Sequence, residues 1–207
     1  MKDLLVFVAD ADAQAFMRGI LEKPKALGIR PISFDIERHP LKDPGMVQTG
    51  PELTGMKKED YQRVLLMLDF HGSGREHRET PDAVRLQMQD RLDSLTWTGN
   101  SSVAVLVPEL ECWCWYCENA IRRHYQVKED DLDRWMSQGA TDLGISLDEL
   151  KLQQPKELFE YIVKDRLRRT ISPRDFYEMS RLASVKALLK SDSFKSIVTA
   201  LRGWFPS

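Results

Sequence analysis

The chain alternates short unbroken apolar runs with longer stretches in which apolar positions recur every three or four residues. Leu4–Val8, Val64–Leu68 and Val103–Val107 are apolar runs of strand length, as expected of strands buried on both faces of a parallel sheet. Arg30–Glu37 instead alternates, with Ile32, Phe34 and Ile36 on one side, and predicts a further strand. After the first run, Ala13, Phe16, Met17, Ile20 and Leu21 share one helical face, with Asp10 or Asp12 available as N-cap. Thr80-Pro81 opens another helix, which turns Val84, Met88, Leu92 and Leu95 inward. Residues 39–60 hold His39-Pro40, Asp43-Pro44-Gly45 and Gly50-Pro51, turn chemistry that leaves room for at most one short helix.

Strands at 3–9, 30–37, 63–68 and 102–107 separated by helices predict βαβ units, hence a doubly wound, mainly parallel four-stranded α/β sheet over residues 1–117. Beyond Cys117 the strand signals stop. Helical segments follow around Ile121, Leu132–Met136, Leu158–Leu167, Phe176–Leu189 and Phe194–Trp204, which predicts a helical C-terminal subdomain over 118–207. A length of 207 residues suits one domain, or one α/β domain with a small appendage.

Three of the apolar runs lead directly into acidic clusters: Asp10 with Asp12, Asp69 with His71, and Glu109 with Glu111. The carboxyl ends of parallel strands lie along one edge, so these groups are expected to converge there. Carboxylates gathered in one place repel unless a hard divalent cation with oxygen ligands neutralises them. Asp10, Asp12, Asp69, Glu109 and Glu111 are therefore candidate ligands for Mg²⁺ or Mn²⁺. Plainer roles stand beside this one: Asp10 or Asp12 as a helix cap, and Glu111 as the partner of a buried arginine. His71 can donate to a phosphate or exchange protons near neutral pH. In Gly72-Ser73-Gly74-Arg75, backbone N–H groups, Ser73 and the Arg75 guanidinium are candidate phosphate contacts, without the Gly-Lys-Ser/Thr ending of a P-loop. His39 and Asp43 follow the second strand and adjoin the same edge as further substrate-binding candidates; His39 before a proline is otherwise a turn residue.

With 42% apolar and 30% charged residues and a net charge of −2, the composition is that of an ordinary soluble protein and carries no bulk attraction for a polyanion. A nucleic-acid partner would need local basic patches, and the only dense one is Arg166, Arg168 and Arg169 with Arg174. Cys112, Cys114 and Cys117 are odd in number and crowded together, which argues against a secreted disulfide framework. With His124 they can be drawn as a Cys₃His zinc site, though their interleaving with Trp113, Trp115 and Tyr116 fits buried thiols. The N-terminus enters a strand without a leader pattern and no apolar run has membrane-spanning length, so a cytoplasmic location without a membrane partner is expected. Trp204-Phe205-Pro206 is expected to pack the final helix onto the body.

The strand-terminal acids resemble those of the Toprim fold, the metal-binding domain of topoisomerases, primases and nucleases that accompany ABC-type ATPases, over residues 3–117. Val8-Ala9-Asp10-Ala11-Asp12, His39-Pro40 with Asp43-Pro44-Gly45, Asp69-x-His71-Gly72-Ser73-Gly74-Arg75-Glu76, Pro108-Glu109-Leu110-Glu111 with Trp113, and the Trp204-Phe205-Pro206 ending are similar to a small bacterial family of phage-defence gene clusters, including a methylation-associated defence system. The Toprim resemblance implies an acid or base after the first strand and an Asp-x-Asp metal pair after a later one. Asp10 then takes the place of the usual glutamate, Asp69 that of the first aspartate, and His71 that of the second. Two departures follow, since Asp10 is shorter than glutamate and His71 brings an imidazole; Glu76, Glu109 and Glu111 would supply the missing carboxylates. The resemblance implies a metal-dependent, phosphodiester-cleaving component of an antiphage system, acting on nucleic acid and with other defence proteins. The rival implication is a non-catalytic subunit that uses the same fold to bind a partner. A nuclease of this kind needs its acids within about 5 Å of one point, because two-metal chemistry sets ions about 3.5–4 Å apart.

Overall fold

A computed structural model describes all 207 residues. Four strands, β1 (Lys2–Val8), β2 (Phe34–Arg38), β3 (Tyr61–Asp69) and β4 (Ser101–Leu106), form one parallel sheet in the order β2-β1-β3-β4. Leu4, Val6 and Val8 face one core with Leu65, Met67, Ala104 and Leu106. Leu5, Phe7, Val64, Leu66, Leu68, Val103 and Val105 face the other. Alternate residues thus serve two apolar layers, which is why the runs are unbroken in the sequence. The chain has the expected α/β doubly wound architecture with a helical C-terminal part.

β2 is shorter than its alternating pattern. The segment before it is drawn away from the sheet: Ile29 bridges Pro206 antiparallel, and the Arg30 N–H donates to the Phe205 carbonyl at 3.1 Å. Helix α1 (Ala11–Leu21) covers the first face with Ala13, Phe16, Met17, Ile20 and Leu21 buried, as predicted, and is followed by the single turn α2 (Pro24–Leu27). Helices α3 (Lys42–Gly55) and α4 (Pro81–Leu92) cover the other face, with Val84, Met88 and Leu92 buried under α4. Leu95 lies in the wide turn beyond α4 and is only partly buried.

The turn-rich stretch 39–60 departs from expectation, because its helix, α3, runs through Gly50-Pro51 for 14 residues. A proline inside a helix leaves the carbonyl four residues back without its donor. Here that carbonyl, Val47, accepts from Arg91 Nη1 at 2.6 Å, and its neighbour Gln48 accepts from Arg91 Nη2 at 2.6 Å. An arginine on α4 replaces the lost N–H, and the helix continues. Gly45 is required for contact: a Cβ there would lie 2.2 Å from the His39 ring.

The C-terminal helices are α5 (Glu111–Tyr116), α6 (Glu118–Tyr125), α7 (Glu129–Leu143), α8 (Leu147–Gln153), α9 (Pro155–Glu160), α10 (Pro173–Leu182), α11 (Val185–Leu188) and α12 (Asp192–Trp204), with α9 running on through a wide turn to Arg166. Residues on either side of Cys117 share one core with the sheet. α10 lies against α1 so closely that a Cβ on Gly19 would meet Ser180 Oγ at 2.0 Å. Trp113 packs between Phe16 and Phe194, with ring centroids at 5.5 and 5.2 Å, and its Nε1 reaches Ser191 Oγ and Ser193 Oγ, each at 3.1 Å. Phe205 is buried beneath the Arg30 guanidinium, so the Trp-Phe-Pro ending docks onto the body. No helix is long and apolar enough to cross a membrane.

Candidate metal centre at the sheet edge

In the strand order β2-β1-β3-β4, the chain turns to one side of β1 and then crosses to the other, so the crevice between the ends of β1 and β3 is the topological switch point. Asp10 and Asp69 stand on either side of it. Asp10 leaves β1 in an extended conformation and caps α1, accepting from the Ala13 N–H at 2.9 Å. The cap role therefore holds for Asp10. Asp12 lies in the first turn of α1 and makes no cap contact.

Asp69 is the last residue of β3, and its backbone N–H donates to the Asp43 carboxylate at 2.8 Å. Asp43 reaches it from the first turn of α3, after Lys42 in the left-handed region at φ 52°. Glu109 and Glu111 come from the turn after β4 and the first residue of α5, and both are buried. Ligand oxygens of Asp69, Glu109 and Glu111 all lie within 4.8 Å of one another, the one group of three or more metal-ligating side chains in the molecule.

The electrostatics of this edge are those of crowded, poorly hydrated anions. Burial, and then the charges of Asp43, Glu111 and Asp10, push the Asp69 carboxyl well above the ordinary range. Burial with the Glu109 charge raises Glu111 to about 8, and burial raises Glu109. Burial and the nearby Asp10 charge take Asp12 to about 6, and burial takes Asp43 to about 6. No arginine answers them: neither Glu109, Glu111, Asp69, Asp12 nor Asp43 belongs to an ion pair within 4.0 Å, so the buried-arginine role for Glu111 does not hold. The cation whose field acts on Glu109 and Glu111 is Lys156, at the start of α9, and Lys42 acts on Asp12 and Asp43. Burial, the largest single influence on Lys156, works against its charge, yet the summed fields of Glu111, Glu109, Glu160 and Asp69 outweigh this and raise its pKa. Nothing in the sequence pointed to Lys156, a surface-type residue 45 positions from Glu111 in an ordinary helix start.

The other predicted residues are placed more diversely. His71 is exposed, with its backbone N–H on the Pro108 carbonyl at 3.0 Å, and its charge, when present, favours ionised Glu109 and Glu76. Ser73 is buried and its Oγ accepts from the Arg75 N–H at 3.2 Å. Arg75 pairs with Glu79 at 2.6 Å, and the Glu76 carboxylate accepts from the Gly72 N–H. The Gly72–Glu76 loop is thus braced by its own side chains, and Glu76 stands outside the three-acid group. His39 is buried just after β2. Its Nδ1 accepts from the Leu41 N–H at 3.0 Å, which puts the proton on Nε2, 2.9 Å from Thr49 Oγ1. Burial lowers the His39 pKa, and the ring's two bonds hold the turn. The three cysteines are buried free thiols, and His124 bonds Asp175 at 2.7 Å instead of joining them.

An all-oxygen set of three carboxylates, raised in pKa and lacking an arginine, suits a hard divalent cation better than a soft one. The cluster of Asp69, Glu109 and Glu111 is therefore competent to bind a divalent metal. No family model, curated protein or solved structure matches the chain.

Proposed function

We propose that the chain is a Toprim-like, metal-dependent phosphodiester-cleaving protein of a bacterial antiphage system. The observation that carries the chemistry is the convergence of Asp69, Glu109 and Glu111 within 4.8 Å without a basic partner at ion-pair distance. These three would hold Mg²⁺ or Mn²⁺, with Asp10, Asp12 and Asp43 around them. A bound divalent ion supplies charge against the phosphate oxygens and lowers the pKa of a coordinated water. The chain's own groups do the rest. Asp43 fixes the backbone of Asp69, Asp10 would accept a proton at the switch point, and exposed His71 can deliver one to a leaving oxygen. Lys156 adds positive charge beside Glu109 and Glu111. The defence role follows from the resemblance of the motifs alone.

One observation favours the rival, a non-catalytic partner-binding subunit: Ser73, Arg75 and Glu76 are engaged within their own loop rather than aimed at the acids. Two measurements separate the readings. Crystals soaked in Mn²⁺ should show anomalous density at Asp69, Glu109 and Glu111, and the protein with Mn²⁺ should cut single- or double-stranded DNA or RNA, both effects vanishing in Asp69→Asn. Density without cleavage of any of these substrates would leave a structural ion site and favour the subunit; no density at millimolar Mn²⁺ would remove the metal reading altogether.

A further inference from the structure

Two adjoining clefts lead away from the acidic edge. The first, about 780 Å³, opens between the ends of β1 and β2 beside Asp10 and Asp12, with Arg38 and Lys42 on its wall. The second, about 500 Å³, runs between α1 and α10 and is lined by Arg18, Arg38 and Arg174 with no acid at all. Ala11, Gln14 and Arg38 belong to both, so the two form one groove.

The three arginines are set apart by lining one acid-free cleft together, where no bond within the protein ties their side chains down. None donates a side-chain hydrogen bond and none belongs to an ion pair within 4.0 Å, whereas Arg30, Arg75, Arg91 and Arg122 each pair with a carboxylate. Three unneutralised guanidinium groups converging on one groove, in a chain of net charge −2, form a local anion-binding surface. Its length distinguishes a polymer from a single phosphate. Ala11 and Arg18 are seven residues apart on α1, about 10 Å at 1.5 Å per residue. That is longer than one phosphate group and leaves room for consecutive phosphates of a strand. Tyr177 contributes one aromatic ring to the floor, held by its hydroxyl donating to Glu22 at 2.8 Å, and aromatic rings beside a basic groove are platforms for bases.

We infer that the Arg18–Arg38–Arg174 groove binds the phosphate backbone of a polynucleotide strand and leads it to the acidic edge. This deepens the proposed function, on which it rests for the identity of the reaction, and it names a polymeric substrate in place of a mononucleotide. Lys42 lies where the strand would pass from arginines to acids.

Binding can be measured apart from cleavage. Fluorescence anisotropy of a labelled 12-nucleotide single strand is followed in EDTA at 50 and 200 mM salt. The variants are an Arg18→Gln, Arg38→Gln, Arg174→Gln triple and a control triple, Arg78→Gln, Arg123→Gln, Arg134→Gln, which removes the same charge elsewhere. The groove triple should weaken binding at least tenfold and reduce the salt slope by about 2, since each lost strand phosphate contact removes about 0.7. The control should stay within about twofold, and unlabelled nucleoside monophosphate should compete no better than free phosphate. Equal losses in both triples, no loss in the groove triple when its melting temperature is unchanged, or displacement of the strand by polyglutamate at equal charge would each overturn the groove as a polynucleotide site. Strand binding with the expected variant pattern but no cleavage in Mn²⁺ would fail the proposed reaction while leaving the groove intact.

Discussion

The backbone of Asp69 is held by the side chain of Asp43: the N–H at the end of β3 donates to a carboxylate at the start of α3, 2.8 Å away. One acid thereby fixes the position of another that its own charge repels: the Asp43 charge adds to burial in raising Asp69, while the bond from the Asp69 N–H eases Asp43 downward against its own burial. Such a centre should respond to metal, to pH and to removal of its acids in calculable directions.

Divalent metal should stabilise the protein through Asp69. Binding the native state alone raises stability by RT ln(1 + [L]/Kd), about 2.7 kcal/mol at one hundred times Kd. Differential scanning fluorimetry with Mn²⁺ should show a rise of several degrees in wild type and none in Asp69→Asn. An unchanged rise in the variant would show that Asp69 is not a ligand.

Stability of the metal-free protein should fall as pH rises from about 4.5 to about 8. Asp12 and Asp43 at about 6, Glu111 at about 8, and raised Glu109 and Asp69 keep protons in the native state that the unfolded chain has released. The native state binds more protons across this window, so the slope of unfolding free energy with pH is negative. A tenfold difference in proton affinity between the folded and unfolded chain is worth about 1.4 kcal/mol, so the change across the window is of the order of a few kcal/mol. Saturating Mn²⁺ should flatten the profile above pH 6; urea melts across the range would reveal a flat or rising curve if the acids were already neutralised.

Glu109→Gln with Glu111→Gln should melt at or above the wild-type temperature without metal, because two mutually repelling buried carboxyls are gone. The same double variant should lose the metal-induced shift and any cleavage of nucleic acid. Collapse of the metal-free variant would make these glutamates structural partners of Lys156 and weigh towards the non-catalytic reading.

Arg91→Ala should destabilise the fold by about 1–3 kcal/mol, the usual range for orphaning a buried acceptor, since the carbonyl of buried Val47 loses its donor. Pro51→Ala restores an N–H to Val47. Introduced into the Arg91→Ala background, it should recover part of the loss, whereas in wild type it should gain much less. Additive effects in a urea double-mutant cycle would disconnect Arg91 from the proline.

What could be seen in advance follows from the distance over which each feature is encoded. Leu4–Val8 and Val64–Leu68 announce doubly buried strands by local composition, and parallel strands bring their acids to one edge by topology alone. Helix α3 was hidden because Pro51 is a local stop signal, answered by an arginine forty positions away. Lys156 and the α1–α10 groove were hidden for the same reason. Of the basic run Arg166, Arg168, Arg169 and Arg174, Arg166 and Arg169 lie over Tyr161 and Tyr125, while Arg174 alone lines the groove with partners from α1 and the end of β2.

The tie between Trp113 and the serines that open α12 has a consequence for synthesis. Asp10 and Asp69 are made before Glu111, which stands two residues before an indole whose two hydrogen-bond acceptors, Ser191 and Ser193, follow it by 78 and 80 residues. During translation the first strands can pair while the acidic centre has no fixed third side. The nascent chain is thereby a scaffold whose centre waits on α12 being made and docking against Trp113.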